Sequence, residues 1–132
     1  MKTTALVIQQ LVRVVGTAQL LLGLLLWAGY ALDFVSLHML LGILLVLLLW
    51  TLAGMAFWAR VTPGLAALAV AWGLVTPVLG MTQAQLLPGE LHWIVRLIHL
   101  AIGLALLAQG EVLAGRLRKR PANAGGLQRA IG

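Results

Sequence analysis

The chain has 132 residues, of which 62% are hydrophobic and 9% are charged. A soluble domain of this size cannot bury so much apolar surface, so the composition predicts a membrane protein. The net charge is +6, but binding of nucleic acid needs a basic patch on a soluble surface, so we expect no nucleic-acid partner. The absence of cysteine excludes disulfides and thiolate metal ligands.

Four apolar runs are each long enough to supply the ~20 residues of a membrane-spanning helix. In chain order they cover about 9–31, 34–59, 64–86 and 90–114. The connections between them are short, so neighbouring spans pair in antiparallel fashion. We therefore predict an all-α fold, a transmembrane antiparallel four-helix bundle at residues 1–115, followed by a basic, flexible cytoplasmic tail at 116–132. The first run has no small-residue cleavage site, so we expect no cleavable signal peptide.

The distribution of lysine and arginine predicts the orientation of the spans. Apart from Arg96, the basic residues that flank the spans are Lys2, Arg13, Arg60, Arg116, Arg118, Lys119 and Arg120. The connections at 31–35 and 86–91 carry Asp33 and Glu90 and no lysine or arginine. We therefore expect a multi-pass protein of the inner or plasma membrane with both termini in the cytoplasm.

Two spacings occur twice in the chain. The first and third spans each contain two glycines seven residues apart, and the second and fourth each contain a histidine with a glycine four residues later. In chain order these residues are Gly16, Gly23, His38, Gly42, Gly73, Gly80, His99 and Gly103. The pattern predicts a duplicated helical hairpin whose halves are related by a pseudo-twofold axis along the membrane normal. His38 and His99 would then face each other across the bundle in the outer half of the bilayer.

Two facing imidazoles suit the axial positions of a six-coordinate haem iron, and four-helix bundles build such sites between helices. Ionisable residues within membrane spans are functional candidates, so we interpret His38 and His99 as ligands of haem b rather than as packing residues. We expect Arg96 to hold a haem propionate. The glycines expected to leave room for the porphyrin are Gly23, Gly42, Gly80 and Gly103.

His92 is the alternative ligand. Counted from the predicted starts of their spans, His99 lies ~9 Å deeper than His38, whereas the depth of His92 matches better. His92 has Arg96 four residues later in place of a glycine, so we prefer His99. His92 then remains an alternative ligand, a propionate partner or part of a second site.

Polar side chains elsewhere in the spans have simpler interpretations. Arg13 and Glu111 lie near the cytoplasmic ends of neighbouring spans, so they either pair or each extend to water. Interhelical or interfacial hydrogen bonds explain the glutamines better than contact with a quinone or a propionate. These glutamines are Gln19, Gln83 and Gln85.

Three segments resemble one four-helix half of the heme A synthase family, whose members have two such bundles with histidines on the second and fourth helices of each. The segments are "VSLHMLLGILLVLLLWTLA", "LVTPVLGMTQAQ" and "LIHLAIGLALLAQ", and the resemblance covers about residues 14–112. It implies that His38 and His99 are the axial pair of a b-type haem. The chain has Val35 and Met39 where the family commonly has glutamate and arginine, and it lacks the outer-loop cysteines and the second half. These departures argue against hydroxylation of a haem methyl group.

The predicted function is that of a membrane b-type cytochrome that passes single electrons and has no catalytic activity of its own. A single haem in the outer half cannot carry electrons across a ~30 Å hydrocarbon core. We therefore expect a quinone, a redox partner subunit or a homodimer. The alternatives are a haem carrier or sensor in cofactor assembly, and a cofactor-free structural membrane subunit.

Overall fold

A computed structural model describes residues 1–119, which form four long helices joined by short connections. The helices are α1 (Lys2–Trp27), α2 (Val35–Trp58), α3 (Pro63–Thr82) and α4 (His92–Lys119). Two short 3-10 turns, Leu32–Phe34 and Gln83–Gln85, adjoin the start of α2 and the end of α3. All four helices are long and apolar enough to cross a membrane. The prediction of an all-α transmembrane four-helix bundle is confirmed.

Backbone chemistry explains where the helices stop and restart. Gly29 follows α1 with a φ of 82°, a left-handed conformation that glycine adopts without steric cost. This conformation lets the N–H of Tyr30 donate to the carbonyl of Leu25 at 3.0 Å, which satisfies one of the last carbonyls of the helix. Pro63 opens α3, where a residue without an N–H loses no helical hydrogen bond.

Two helices are longer than the hydropathy of the sequence predicts. α1 begins at Lys2 rather than near residue 9, because Ala5 and Ile8 are buried against the other helices. α4 continues to Lys119 rather than ending near residue 114, and Leu117 in its last turn is buried. The predicted flexible tail therefore begins within a helix, and its residues 120–132 lie outside the described part of the chain.

The order of the helices around the bundle agrees with a duplicated hairpin. Sequential helices are neighbours, α4 closes the bundle against α1, and α2 contacts α4 across the centre. Within residues 1–119, α1 and α3 do not contact each other. Exchanging α1 with α3 and α2 with α4 leaves this pattern unchanged, as a pseudo-twofold axis between the hairpins requires.

Buried side chains are concentrated at one end of the bundle. We define the terminal half as residues 2–16, 45–73 and 106–119, and the distal half as residues 17–44 and 74–105. The cluster of buried apolar residues lies entirely in the terminal half and is centred on Leu49, Leu52 and Leu113. In the distal half of the described chain, the only buried apolar side chains are Ala31 and Val95.

Two glycines allow close packing in the terminal half. A methyl group added to Gly16 of α1 would overlap Leu107 of α4, and one added to Gly73 of α3 would overlap the indole of Trp50 of α2. The two contacts exchange under the pseudo-twofold axis, since each joins the first helix of one hairpin to the second helix of the other. Small residues that let helices approach closely are the usual basis of packing in membranes, where lipid is as apolar as the side chains.

Candidate functional site

The structure brings His38 and His99 together between α2 and α4. Their ring centroids are 6.3 Å apart, and the ring planes are tilted by 54°. Both side chains are half-buried. The difference in depth between His38 and His99 that the sequence suggests is explained by where α2 and α4 begin. His99 is the eighth residue of α4 and His38 is the fourth of α2, so α4 extends about one turn, or ~6 Å, further at the distal end.

Each histidine ring packs against a glycine of the preceding helix. A Cβ at Gly23 of α1 would lie 3.1 Å from Cε1 of His38, and a Cβ at Gly80 of α3 would lie 3.3 Å from Cε1 of His99. Both distances are tighter than ordinary van der Waals contact. The glycines therefore leave the space that the imidazoles use, and they do so in the same way in both hairpins.

The two glycines that follow the histidines differ from each other. A Cβ at Gly42 would lie 3.1 Å from Nε2 of Gln19, whereas a Cβ at Gly103 would have no neighbour within 4 Å. Gly42 therefore makes room for the Gln19 side chain, and Gly103 borders open space. The expected role of both residues in accommodating a porphyrin stays a prediction.

Gln19 is a site residue to which the sequence assigns only a general hydrogen-bonding role. Its Nε2 lies 3.2 Å from Nε2 of His38, so the expected interhelical hydrogen bond joins α1 to the histidine itself. One signal in the sequence could have indicated this contact. Gln19 precedes Gly23 by four residues, which places both on the same face of α1.

The site holds several buried polar atoms that have no hydrogen-bond partner. These atoms are Nδ1 of His38, Nδ1 of His99 and Oε1 of Gln19. A buried polar atom without a partner destabilises a fold by roughly 1–3 kcal/mol. Three further atoms of this kind lie in the terminal half, on Trp50, Thr62 and Gln109, so they occur in both halves of the described chain.

Arg96 and His92 lie at the edge of the site rather than within it. Arg96 is exposed, and its Nη1 donates to the carbonyl of Trp27 at 3.5 Å, near the end of α1. The ring of His92 donates through Nδ1 to the carbonyl of Leu86 at 3.1 Å, which ties the connection before α4 to the first residue of that helix. The geometry therefore pairs His38 with His99, while His92 has a contact that organises a loop.

The histidine pair brings together two side chains of a type that can bind a metal. Within residues 1–119, no group of three or more His, Cys, Asp or Glu side chains is placed to hold a metal ion. A bond between a metal and an imidazole nitrogen is about 2 Å long, so two imidazoles on opposite sides of one metal have centroids about 6 Å apart. The observed centroid separation is 6.3 Å.

A second polar cluster joins α1 and α4 in the terminal half. Nε and Nη2 of Arg13 each donate to a carboxylate oxygen of Glu111 at 2.7 Å, and Nε2 of the buried Gln9 donates to the same carboxylate at 2.6 Å. The first of the two interpretations, an Arg13–Glu111 pair, is therefore correct. The bidentate geometry fixes the register between the two helices.

No family model, curated protein or solved structure matches the chain. The function is therefore argued from the residues of the site and their geometry. Those residues are His38, His99, Gln19, Gly23 and Gly80, with Arg96 at the border.

Proposed function

We propose that the protein is a membrane b-type cytochrome in which His38 and His99 are the axial ligands of one haem and the bound haem passes single electrons. The observation that carries the proposal is the separation of 6.3 Å between the centroids of two imidazoles that come from different hairpins. That separation agrees with two imidazoles on opposite sides of one metal. The resemblance to half of the heme A synthase family points to the same pair.

The surroundings of the pair also favour a flat, largely apolar cofactor. Gly23 and Gly80 leave the rings free to enter the bundle, and the position beside Gly103 is open. The distal half has few fully buried side chains, in contrast to the close-packed terminal half. Arg96 lies on α4 three residues before His99, at the exposed border where a propionate would meet solvent or headgroups.

In this proposal the protein positions the cofactor and controls its environment. Haem supplies reversible one-electron chemistry at its iron, and the axial ligands and surrounding polarity set its potential. His38 and His99 would hold the iron from two long helices, α2 and α4. With two histidine ligands the iron would have no free position for a substrate, which favours electron transfer over catalysis.

The location of the pair implies a redox partner. The pair lies near one end of the bundle, and a single haem there cannot span a ~30 Å core. We infer that a quinone, a partner subunit or a second copy of the chain completes the electron path. The basic residues at the opposite end favour an inner or plasma membrane in which that end faces the cytoplasm.

The test is the absorption spectrum of the protein purified from haem-replete cells. We expect sharp α and Soret bands on reduction with dithionite, as six-coordinate haem gives. His38→Ala and His99→Ala should each lose this spectrum, because each removes one axial ligand. His92→Ala is the matched control and should keep it, since the His92 ring binds the carbonyl of Leu86. A colourless wild-type preparation would contradict the proposal.

A haem carrier or sensor is the second candidate, and the contact of Gln19 with Nε2 of His38 favours it. The contact gives the His38 imidazole a partner other than iron, which would make the cofactor easier to release. Transfer of haem to apomyoglobin separates the two functions. A carrier loses its haem to the acceptor within minutes, whereas a cytochrome retains it and shows a defined midpoint potential in a redox titration.

A further inference from the structure

The outer surface of the bundle carries one pair of charges far from the helix ends. Arg13 of α1 lies about 16 Å from the start of its helix, and Glu111 of α4 lies about 12 Å from the end of its own. The other Asp, Glu, Lys and Arg side chains of residues 1–119 lie in connections or within five residues of a helix end. Arg13 and Glu111 are therefore the charges that the fold places deepest in the membrane.

The surface around this pair is apolar in both directions along α1. Leu6 and Leu11 are exposed on the terminal side of Arg13, and Leu21 and Leu24 are exposed on the distal side. Outward-facing apolar side chains of a membrane helix contact lipid, so hydrocarbon extends past the pair towards both ends. A charge at such a depth is energetically costly, and such residues usually face other protein rather than lipid.

Neither charge extends to the headgroups. A Cβ at Gly110, the neighbour of Glu111, would lie 3.3 Å from Cγ1 of Val12, the neighbour of Arg13. The two charged residues are therefore at the same level of the bundle, and the hydrogen bonds between them run across the helices. A side chain that reaches for the interface points along its helix instead.

The ion pair leaves hydrogen-bonding capacity unused. A guanidinium has five N–H donors, and Arg13 uses Nε and Nη2 for Glu111. Among residues 1–119, its Nη1 makes no hydrogen bond, and Oε1 of Glu111 accepts only from Arg13. An open groove of about 180 Å³ adjoins these atoms, and Thr17 of α1 lies at its edge. In hydrocarbon, only another protein surface offers partners for such groups.

The equivalent surface between α2 and α3 has no such charges. The spacing of 57 residues that relates the hairpins matches Arg13 with Val70 and Thr17 with Leu74. Val70 and Leu74 are both exposed, so this side of the bundle presents apolar side chains to lipid. The charged surface therefore belongs to the α1–α4 side alone and is not a requirement of the repeated fold.

The charged surface is complementary to itself. Two copies that insert in the same direction are related by a twofold axis along the membrane normal, which keeps every residue at its own depth. On the two facing surfaces this axis exchanges left and right. Arg13 of one copy then lies opposite the partner's Glu111, and Glu111 lies opposite the partner's Arg13. A different subunit would need a complementary pair of its own, whereas a second copy of this chain already has one.

We propose that the α1–α4 surface around Arg13 and Glu111 is the interface of a homodimer, in which Nη1 of each Arg13 donates to the carboxylate of the partner's Glu111. The interface lies in the terminal half and the histidine pair lies in the distal half. Dimerisation at this surface does not require haem, so it and the proposed function can fail separately.

The first experiment exchanges the two charges in one chain, Arg13→Glu with Glu111→Arg. Each exchanged chain keeps an ion pair between α1 and α4, and two exchanged chains are again complementary. A mixed pair of exchanged and wild-type chains places arginine opposite arginine and glutamate opposite glutamate, which suppresses association. A tagged and an untagged chain are co-expressed and purified on the tag. The untagged chain should be recovered about tenfold less in the mixed pair than in either like pair.

The second experiment leaves both charges in place. The chain has no cysteine, so a single introduced cysteine reports only on its own surroundings. Thr17→Cys lies beside the pair and should form covalent dimers when native membranes are treated with a short bismaleimide. Leu74→Cys is the matched control, because it occupies the equivalent exposed position of α3. It should stay monomeric.

The outcomes decide for or against the interface without reference to haem. Separation of exchanged from wild-type chains, with cross-linking at Thr17→Cys and none at Leu74→Cys, supports it. Wild-type chains that do not co-purify, or mixed pairs recovered as well as like pairs, would overturn it. Equal cross-linking at the two positions would do the same and would leave the surface to lipid or to a different subunit. If the exchanged chain does not accumulate, the cross-linking result decides alone.

Discussion

The terminal and distal halves of the bundle are made from the same four helices but are organised by different side chains. The terminal half contains the buried leucine and alanine core, two glycine contacts and the Arg13–Glu111 pair. The distal half contains the His38–His99 pair and the contact of Gln19 with His38. The difference indicates that the terminal half contributes most of the apolar burial that stabilises the bundle.

Small side chains explain why the terminal half packs so closely. Ala53 and Ala56 of α2 and Ala66 and Ala69 of α3 are all buried. Side chains of this size let two helix backbones approach, which increases dispersion contacts where lipid provides no hydrophobic driving force. The distal half has no comparable set of buried alanines among the described residues. Variants that disturb packing should therefore act much more strongly in the terminal half.

The largest expected effect on stability is at the centre of the terminal core. Leu49 is fully buried, so Leu49→Ala should lower the free energy of unfolding by about 2–5 kcal/mol through lost contacts and a residual cavity. The measurement is denaturant unfolding in detergent micelles, followed by circular dichroism. Leu40→Ala is the matched change on the exposed face of the same helix in the distal half, at 62% exposure. An equal loss in both variants would remove the distinction between the halves.

The next largest effect on stability is expected when a glycine of the terminal half, rather than one of the distal half, is replaced by alanine. Gly73→Ala introduces a methyl group that overlaps the Trp50 indole, and such overpacking lowers the free energy of unfolding by about 1–3 kcal/mol. Gly103→Ala enters open space and should be neutral or slightly stabilising, because alanine favours helix by up to about 1 kcal/mol. The same unfolding measurement tests both. A destabilising Gly103→Ala would show that the distal half is packed more closely than its exposure indicates.

The smallest expected effect is at the ion pair. Arg13 and Glu111 have side-chain exposures of 53% and 35%, so the pair is only partly enclosed. Interhelical polar contacts in membranes contribute about 0.6 kcal/mol on average and at most about 1.7 kcal/mol. We expect a coupling free energy in that range from a double-mutant cycle of Arg13→Gln and Glu111→Gln in the unfolding assay. Additive single effects would mean that Arg13 and Glu111 stabilise the bundle independently.

Much of the architecture could be predicted from hydropathy, since the signal for a membrane span is carried by ~20 consecutive residues. The limits of α1 and α4 could not be predicted in this way. Lys2 and Lys119 belong to helices because Ala5 and Leu117 in the adjoining turns are buried by other helices. That burial depends on neighbours far apart in the chain.

The candidate site, like the fold, was predicted from the sequence only in part. The repeated histidine and glycine spacing singled out His38 and His99 because a helix has a regular period and a duplicated hairpin repeats its frame. The contact of Gln19 with His38 and that of His92 with Leu86 were not assigned by the sequence. Each depends on the rotation of a helix or the course of a loop, and spacing within one helix does not specify either.

The sequence by itself determined that four helices cross a membrane in alternating directions, and that two histidines occupy matching positions in a repeated frame. Both properties are local, because hydropathy and helical period act over short stretches of chain. Only the tertiary structure decided which imidazole lies in contact with Gln19 and which half of the bundle became the packed core. Those outcomes depend on how side chains of different size fit between helices, which is settled when the helices pack together.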